Sequence, residues 1–121
     1  MIHISDKCRY LLYNANTDMR KSFHGLAAIV KYKMQRDVLS GDIYIFISKR
    51  RNAIKLLRFE VDGFAIFYKR LEKGTFEIPS NHRGSPAILL SDNELIFILK
   101  GVALNRIKYR PRYSQNEAIC E

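Results

Sequence analysis

Residues Ser40–Pro79 read SGDIYIFISKRRNAIKLLRFEVDGFAIFYKRLEKGTFEIP, and this stretch decides the fold class. Asp42–Ser48 forms a strand whose centre, Ile43–Ile47, is apolar at every position, which suits a strand covered on both faces. The basic turn Lys49-Arg50-Arg51-Asn52 follows. A second strand, Ala53–Glu60, carries Lys55 and Arg58 within its apolar run. Asp62-Gly63 is a tight-turn signal, and Phe64–Leu71 is a third strand. After Glu72-Lys73-Gly74, Thr75–Ile78 reads as a short fourth strand ended by Pro79. Strands joined by such short turns pair antiparallel as a meander. Lysine and arginine collect at the turns among Tyr44, Phe46, Phe59, Phe64, Phe67, Tyr68 and Phe76, with no cluster of potential catalytic groups. The pattern is that of a surface for a polyanion.

Outward toward the N-terminus, Arg9–Tyr13 is an apolar-aromatic strand, closed by the turn-forming residues 14–18. From Met19 the period changes: Met19, Phe23, Leu26, Ala27, Val30 and Met34 recur at three- and four-residue steps, as in an amphipathic helix. Thr17 or Asp18 can cap it. Gly25, in its middle, costs on the order of 1 kcal/mol against alanine, and its expected use is to let another element approach closely. Toward the C-terminus, residues 80–86 form a polar loop and Ala87–Leu90 a brief edge strand. Ser91-Asp92-Asn93-Glu94 has capping-box spacing and opens a short helix through Lys100, closed by Gly101. The tail Arg106–Tyr113 is basic and aromatic, and residues after Tyr113 read as frayed.

The chain has 121 residues, 47% hydrophobic and 27% charged, with 21 Lys plus Arg against 12 Asp plus Glu for a net charge of +9. This length fits one domain, residues 1–113, with 114–121 as a tail. A clustered basic excess favours a nucleic-acid partner. Cys8 and Cys120 lack C-x-x-C spacing, so no zinc site is indicated. No cofactor is called for. No apolar run approaches a membrane span, so no membrane partner is expected, and a cytoplasmic location is.

The binding candidates are Lys49, Arg50 and Arg51, then Lys69 and Arg70, then Lys108, Arg110 and Arg112 in the tail. Arg and Lys contact phosphates, and Tyr or Arg stack on bases. The alternative for each patch is a solvated face, since edge strands carry such residues to block aggregation. Arg20 and Lys21 sit where a helix would start, an unfavourable place for cations. They call either for an outside anion or for local pairing with Asp18. His3, His24 and His82 are scattered, and Asp18, Asp42, Asp62 and Glu72 serve as caps and turn formers. No G-x-S-x-G, H-E-x-x-H or P-loop pattern occurs, so the expectation is a protein that is not an enzyme.

The order Thr17-Asp18-Met19-Arg20-Lys21, Gly25-Leu26, Leu39–Phe46, Asp62-Gly63-Phe64, Tyr68–Gly74, Phe76–Pro79 and Lys108–Tyr113 resembles the small accessory proteins of IS-sixty-six-type insertion sequences, the TnpB or Orf2-like family. The resemblance spans roughly Arg9 to Tyr113. His24, Asn52-Ala53 and Arg58-Phe59-Glu60 depart from the family's usual residues. The resemblance implies a bacterial transposable-element protein encoded beside a transposase that carries the strand-transfer chemistry.

The expected fold is therefore α+β: a mainly antiparallel sheet of four to five strands, packed by a longer helix over Met19–Met34 and a short C-terminal helix. The expected function is a non-catalytic accessory of DNA transposition that binds DNA, at the element ends, through the basic residues named above. An adaptor docking on the cognate transposase without touching DNA is the second reading, and a small metal-dependent nuclease the third.

Overall fold

The computed structural model describes residues 4–79 and 84–101. Its strands are β1 (Tyr10–Asn16), β2 (Ile43–Ile47), β3 (Ala53–Glu60), β4 (Gly63–Arg70) and β5 (Ala87–Leu90). They form one sheet in the order β4-β3-β2-β1-β5. Helix α1 (Phe23–Ala28) continues into a π-helical turn, Ile29–Lys33, and α2 (Asp92–Lys100) closes the described chain. Among the described residues no helix is long and apolar enough to cross a membrane.

The α+β class and the β2-β3-β4 meander are as expected, with antiparallel pairing from Tyr44↔Leu57 to Glu60↔Gly63. Three of the four strand pairings are antiparallel, but the sheet as a whole is mixed, which corrects the expectation of a mainly antiparallel sheet built as a simple meander. β1 and β2 run parallel, Tyr10 opposite Ile43 and Leu12 opposite Ile45. The cause is the connection: the segment between them carries α1 across one face, and a chain that crosses a face re-enters the sheet in its original direction. β5 then pairs antiparallel with the outer side of β1, from Tyr10↔Leu90 to Tyr13↔Ala87.

Both sheet faces are covered, so alternation along each strand divides the core in two. On one face Leu11, Tyr44, Phe46 and Leu57 pack with Leu26, Val30 and Met34 of the helical crossover. On the other, Tyr10, Leu12, Ile43, Ile45, Ile47, Ile54, Leu56, Ile88 and Leu90 pack with Leu95 and Ile98 of α2 and with Phe76. β2 is buried at all five positions because it is central and covered twice. The buried phenols are satisfied: Tyr10 donates to the Ser5 carbonyl at 2.9 Å, and Tyr44 to the Asp37 carbonyl at 2.9 Å. Burial pushes both phenols above their ordinary pKa.

The long helix over Met19–Met34 is the second correction. Asp18 turns its carboxylate onto the Arg20 backbone N–H at 2.9 Å, and its carbonyl accepts the Lys21 N–H at 3.1 Å. Residues 18–21 thus form a turn of their own. Ser22 becomes the N-cap, with extended backbone and no side-chain cap bond. At the other end the helix widens: the Met34 N–H reaches Ile29, five residues back, and Gln35 takes a left-handed φ of 56°. Among the described residues it is not another element that comes nearest to Gly25, contrary to its expected use. A Cβ there would lie 3.1 Å from the Lys21 Cβ, so what approaches closely is the chain's own preceding turn.

Thr75–Ile78 is not a strand, the third correction. Phe76 is 1% exposed and sits in the core beneath the sheet. Its N–H donates to the Arg51 carbonyl at 2.6 Å. An aromatic side chain gains more by filling the core, about 3 kcal/mol at full burial, than by extending an edge. The C-terminal helix forms as expected. Ser91 and Glu94 make a reciprocal capping box, and Gly101 closes the helix at φ 78°.

Candidate nucleic-acid interface

Strand directions decide where the charges go. β1, β2 and β4 finish at the same end of the sheet, and β3 and β5 begin there. That end therefore gathers the 18–21 turn after β1, the Lys49-Arg50-Arg51 turn between β2 and β3, and Lys69-Arg70 at the close of β4. Patches separated by up to fifty residues of sequence become neighbours. Lys108, Arg110 and Arg112 lie outside the described residues. The opposite end carries Asp42 before β2, Glu60 and Asp62 at the β3–β4 turn, and Asp92 and Glu94 opening α2, with Arg9 and Arg58 among them. The molecule is thus charge-polarised along its strands.

The basic turn is braced by its own polar groups. The Ser48 hydroxyl accepts the Ala53 N–H at 3.1 Å and donates to Asn52 Oδ1 at 3.2 Å. The Asn52 carbonyl accepts the Leu71 N–H at 2.7 Å. Arg51 holds φ at 58°, a left-handed conformation that glycine or asparagine would adopt at less cost. Its N–H donates to the Ser48 carbonyl at 2.9 Å. With Ser48 and Asn52 occupied internally, the exposed side chains of Lys49, Arg50 and Arg51 face solvent.

Pairing differs between the two ends. At the acidic end Arg9 meets Asp42 at 3.6 Å. At the basic end Arg20 pairs with Asp18 at 2.7 Å, and no described carboxylate lies within salt-bridge distance of Lys49, Arg50, Arg51, Lys69 or Arg70. Glu72 and Glu77 are exposed in the following loop without pairing to them. Lys69 instead donates to the Leu99 carbonyl at 3.4 Å, at the end of α2, where free carbonyls favour a cation.

For Arg20, local pairing is what the structure contains. The Arg20 side chain, then its backbone N–H, holds the Asp18 carboxyl down to about 2. A carboxylate depressed in the folded state stabilises above its unfolded pKa of ~3.9 and loses that contribution as pH falls through the folded value. The pair therefore persists throughout the neutral range and opens only in strong acid. Following the Asp18 carboxyl carbon by NMR should give a midpoint at about 2. A midpoint at ~3.9 would show the pair unformed in solution.

Lys55 belongs to none of the basic patches visible in the sequence. It lies within β3, 8% exposed, on the face that carries α1. Its ammonium donates to the Lys21 carbonyl at 2.8 Å and stands 5.0 Å from the centre of the Tyr68 ring. A buried ammonium needs partners; here they are a carbonyl and a ring face, with no described carboxylate among them. The contact ties the 18–21 turn to β3, so Arg20 and Lys21 sit beside the other cations. The available signal was a lysine in Ile54-Lys55-Leu56-Leu57, where every neighbour is apolar.

The family model described as "IS66 Orf2 like protein" matches residues 8–109. The chain is similar to two proteins of Sinorhizobium fredii (strain NBRC 101917 / NGR234). It is 29% identical to uncharacterized protein y4hO over 102 residues, 84% of this chain and 87% of that one. It is 29% identical to uncharacterized protein y4jC over 111 residues, 92% and 93% of the two chains. No solved structure matches.

Proposed function

This chain belongs to the IS66 Orf2-like family, and from that membership we propose that it is a non-catalytic accessory protein of insertion-sequence transposition that binds DNA through the basic end of its sheet. One observation carries the reading: strand order and direction converge Lys21, Lys49, Arg50, Arg51, Lys69 and Arg70 on one end, and most lack an internal counter-charge. Exposed cations with no partner raise a local positive potential that draws a polyanion. Phosphates supply the missing charges and release counterions as they do so.

The test is a titration of labelled duplex DNA at two salt concentrations. With five or six phosphate contacts, affinity should fall ~10³-fold between ~50 and ~200 mM salt. No binding at the lower salt would overturn the proposal.

A partly exposed aromatic cluster favours a second reading, an adaptor that docks on the cognate transposase. Phe23 is 41% exposed and stacks on Phe64 at 6.4 Å, and Phe64 meets Phe59 edge-on at 5.1 Å. Aromatic anchors of this kind concentrate binding energy at protein interfaces. Retention of transposase after nuclease digestion, with no DNA affinity of the isolated chain, would favour the adaptor.

A further inference from the structure

We infer that the basic end takes the phosphate backbone of double-helical DNA, without reading bases and without preferring a single strand. The inference rests on the DNA-binding reading above and specifies the form of its ligand.

Shape supplies the first argument. The cations stand at the ends of four successive strands, β1 to β4, which places them on a row ~14 Å long at the backbone, three strand spacings. Each side chain adds its own reach. The grooves of B-DNA are about 12 Å and 6 Å wide, so the row can meet phosphates on both sides of a groove. The cations sit on turns and strand ends that project from the sheet, whereas sequence-tolerant single-strand binders thread the chain along a groove.

Aromatic placement supplies the second. Single-strand binding relies on exposed rings on which unstacked bases lie. Among the described residues the exposed phenyl and phenol rings are Phe23, Tyr32 and Tyr68, and the His24 imidazole is exposed beside Phe23. Phe23 is engaged with Phe64, and Tyr32 has Lys31 at 5.2 Å from its ring centre. Tyr68 is the one at the basic end, and the Lys55 ammonium already stands over its ring. The described basic end thus offers many cations but one tyrosine ring, half-exposed and with the Lys55 ammonium already over it, fewer rings than a single-strand groove uses to stack successive bases. Base readout in the major groove calls for a helix or a two-stranded ribbon inserted there. The β2–β3 turn is short and braced against the sheet at Ser48, Asn52 and Arg51.

The experiment compares four probes with the full chain at ~50 mM salt: a labelled duplex of about 20 base pairs, each of its separated strands, and a duplex of identical composition in scrambled order. The duplex should bind at least ~10-fold tighter than either strand, and the scrambled duplex within ~2-fold of the original. A strand that binds as tightly as the duplex would overturn the inference while leaving the DNA-binding reading intact. A scrambled duplex ~10-fold weaker would overturn the absence of base readout. Failure of every probe to bind would overturn the DNA-binding reading itself.

Discussion

Replacing the basic turn as Lys49→Ser, Arg50→Ser and Arg51→Gly should lower duplex affinity ~10²-fold near ~100 mM salt and leave the fold intact. Three phosphate contacts removed at ~0.9 counterions each should also reduce the slope of log affinity against log salt by ~2.7. The turn's shape does not depend on the lost side chains, because it is held by the Ser48 hydroxyl, Asn52 and the Arg51 backbone. Arg51→Gly should even stabilise the fold by ~1 kcal/mol, since φ 58° is costly for a side chain and free for glycine. Binding and stability would then move in opposite directions, which separates a lost contact from a damaged fold. Thermal denaturation beside anisotropy titrations reads both. Affinity retained within ~2-fold would remove the turn from the interface.

Phe76→Ala should cost ~3–5 kcal/mol, the usual range for truncating a buried aromatic. That is a large part of the ~5–15 kcal/mol that holds a domain together. The side chain is 1% exposed among Ile45, Ile54, Leu56 and the α2 residues of its core. The same residue anchors the 71–79 loop to the basic turn through the Arg51 carbonyl, so the variant should also loosen the turn. Urea unfolding measures the cost. The neighbouring Thr75→Ala, at an exposed position, should stay within ~0.5 kcal/mol. A Phe76→Ala loss no larger than the Thr75→Ala loss would mean that the loop does not insert beneath the sheet.

What was legible in the sequence follows the range of the forces involved. The β2–β3–β4 meander rests on short turns and strand patterns, and Asp62-Gly63 marks its hairpin locally. The capping box at Ser91–Glu94 and the stop at Gly101 are likewise local, and both stand as read. The parallel pairing of β1 with β2 depends on which face the intervening segment crosses, a tertiary choice with no signature in either strand. The helix start was hidden because Asp18 could cap a helix or close a turn with Arg20, and the charge-assisted bonds to Arg20 decide it. Phe76 reads as a strand residue by composition, and only the open core below the sheet redirects it.

The candidate site shows the same division. Lys49-Arg50-Arg51 and Lys69-Arg70 are visible as basic patches because charge runs stand out in a sequence. Their meeting at one end is a product of register, Ala53 opposite Arg70 and Ile54 opposite Lys69. Arg20 and Lys21 join them through Lys55, a contact across thirty-four positions. The segregation of Glu60, Asp62, Asp92 and Glu94 to the far end appears only once strand directions are known.

Mapping backbone amide shifts by NMR as duplex DNA is added tests the charge-polarised interface most directly. The expected perturbations fall at residues 18–21, 48–52 and 69–71, with the Asp62-Gly63 turn and the start of α2 unmoved. Perturbations centred on the Asp62-Gly63 end or on the Phe23–Phe64 cluster, with the basic turn silent, would contradict it.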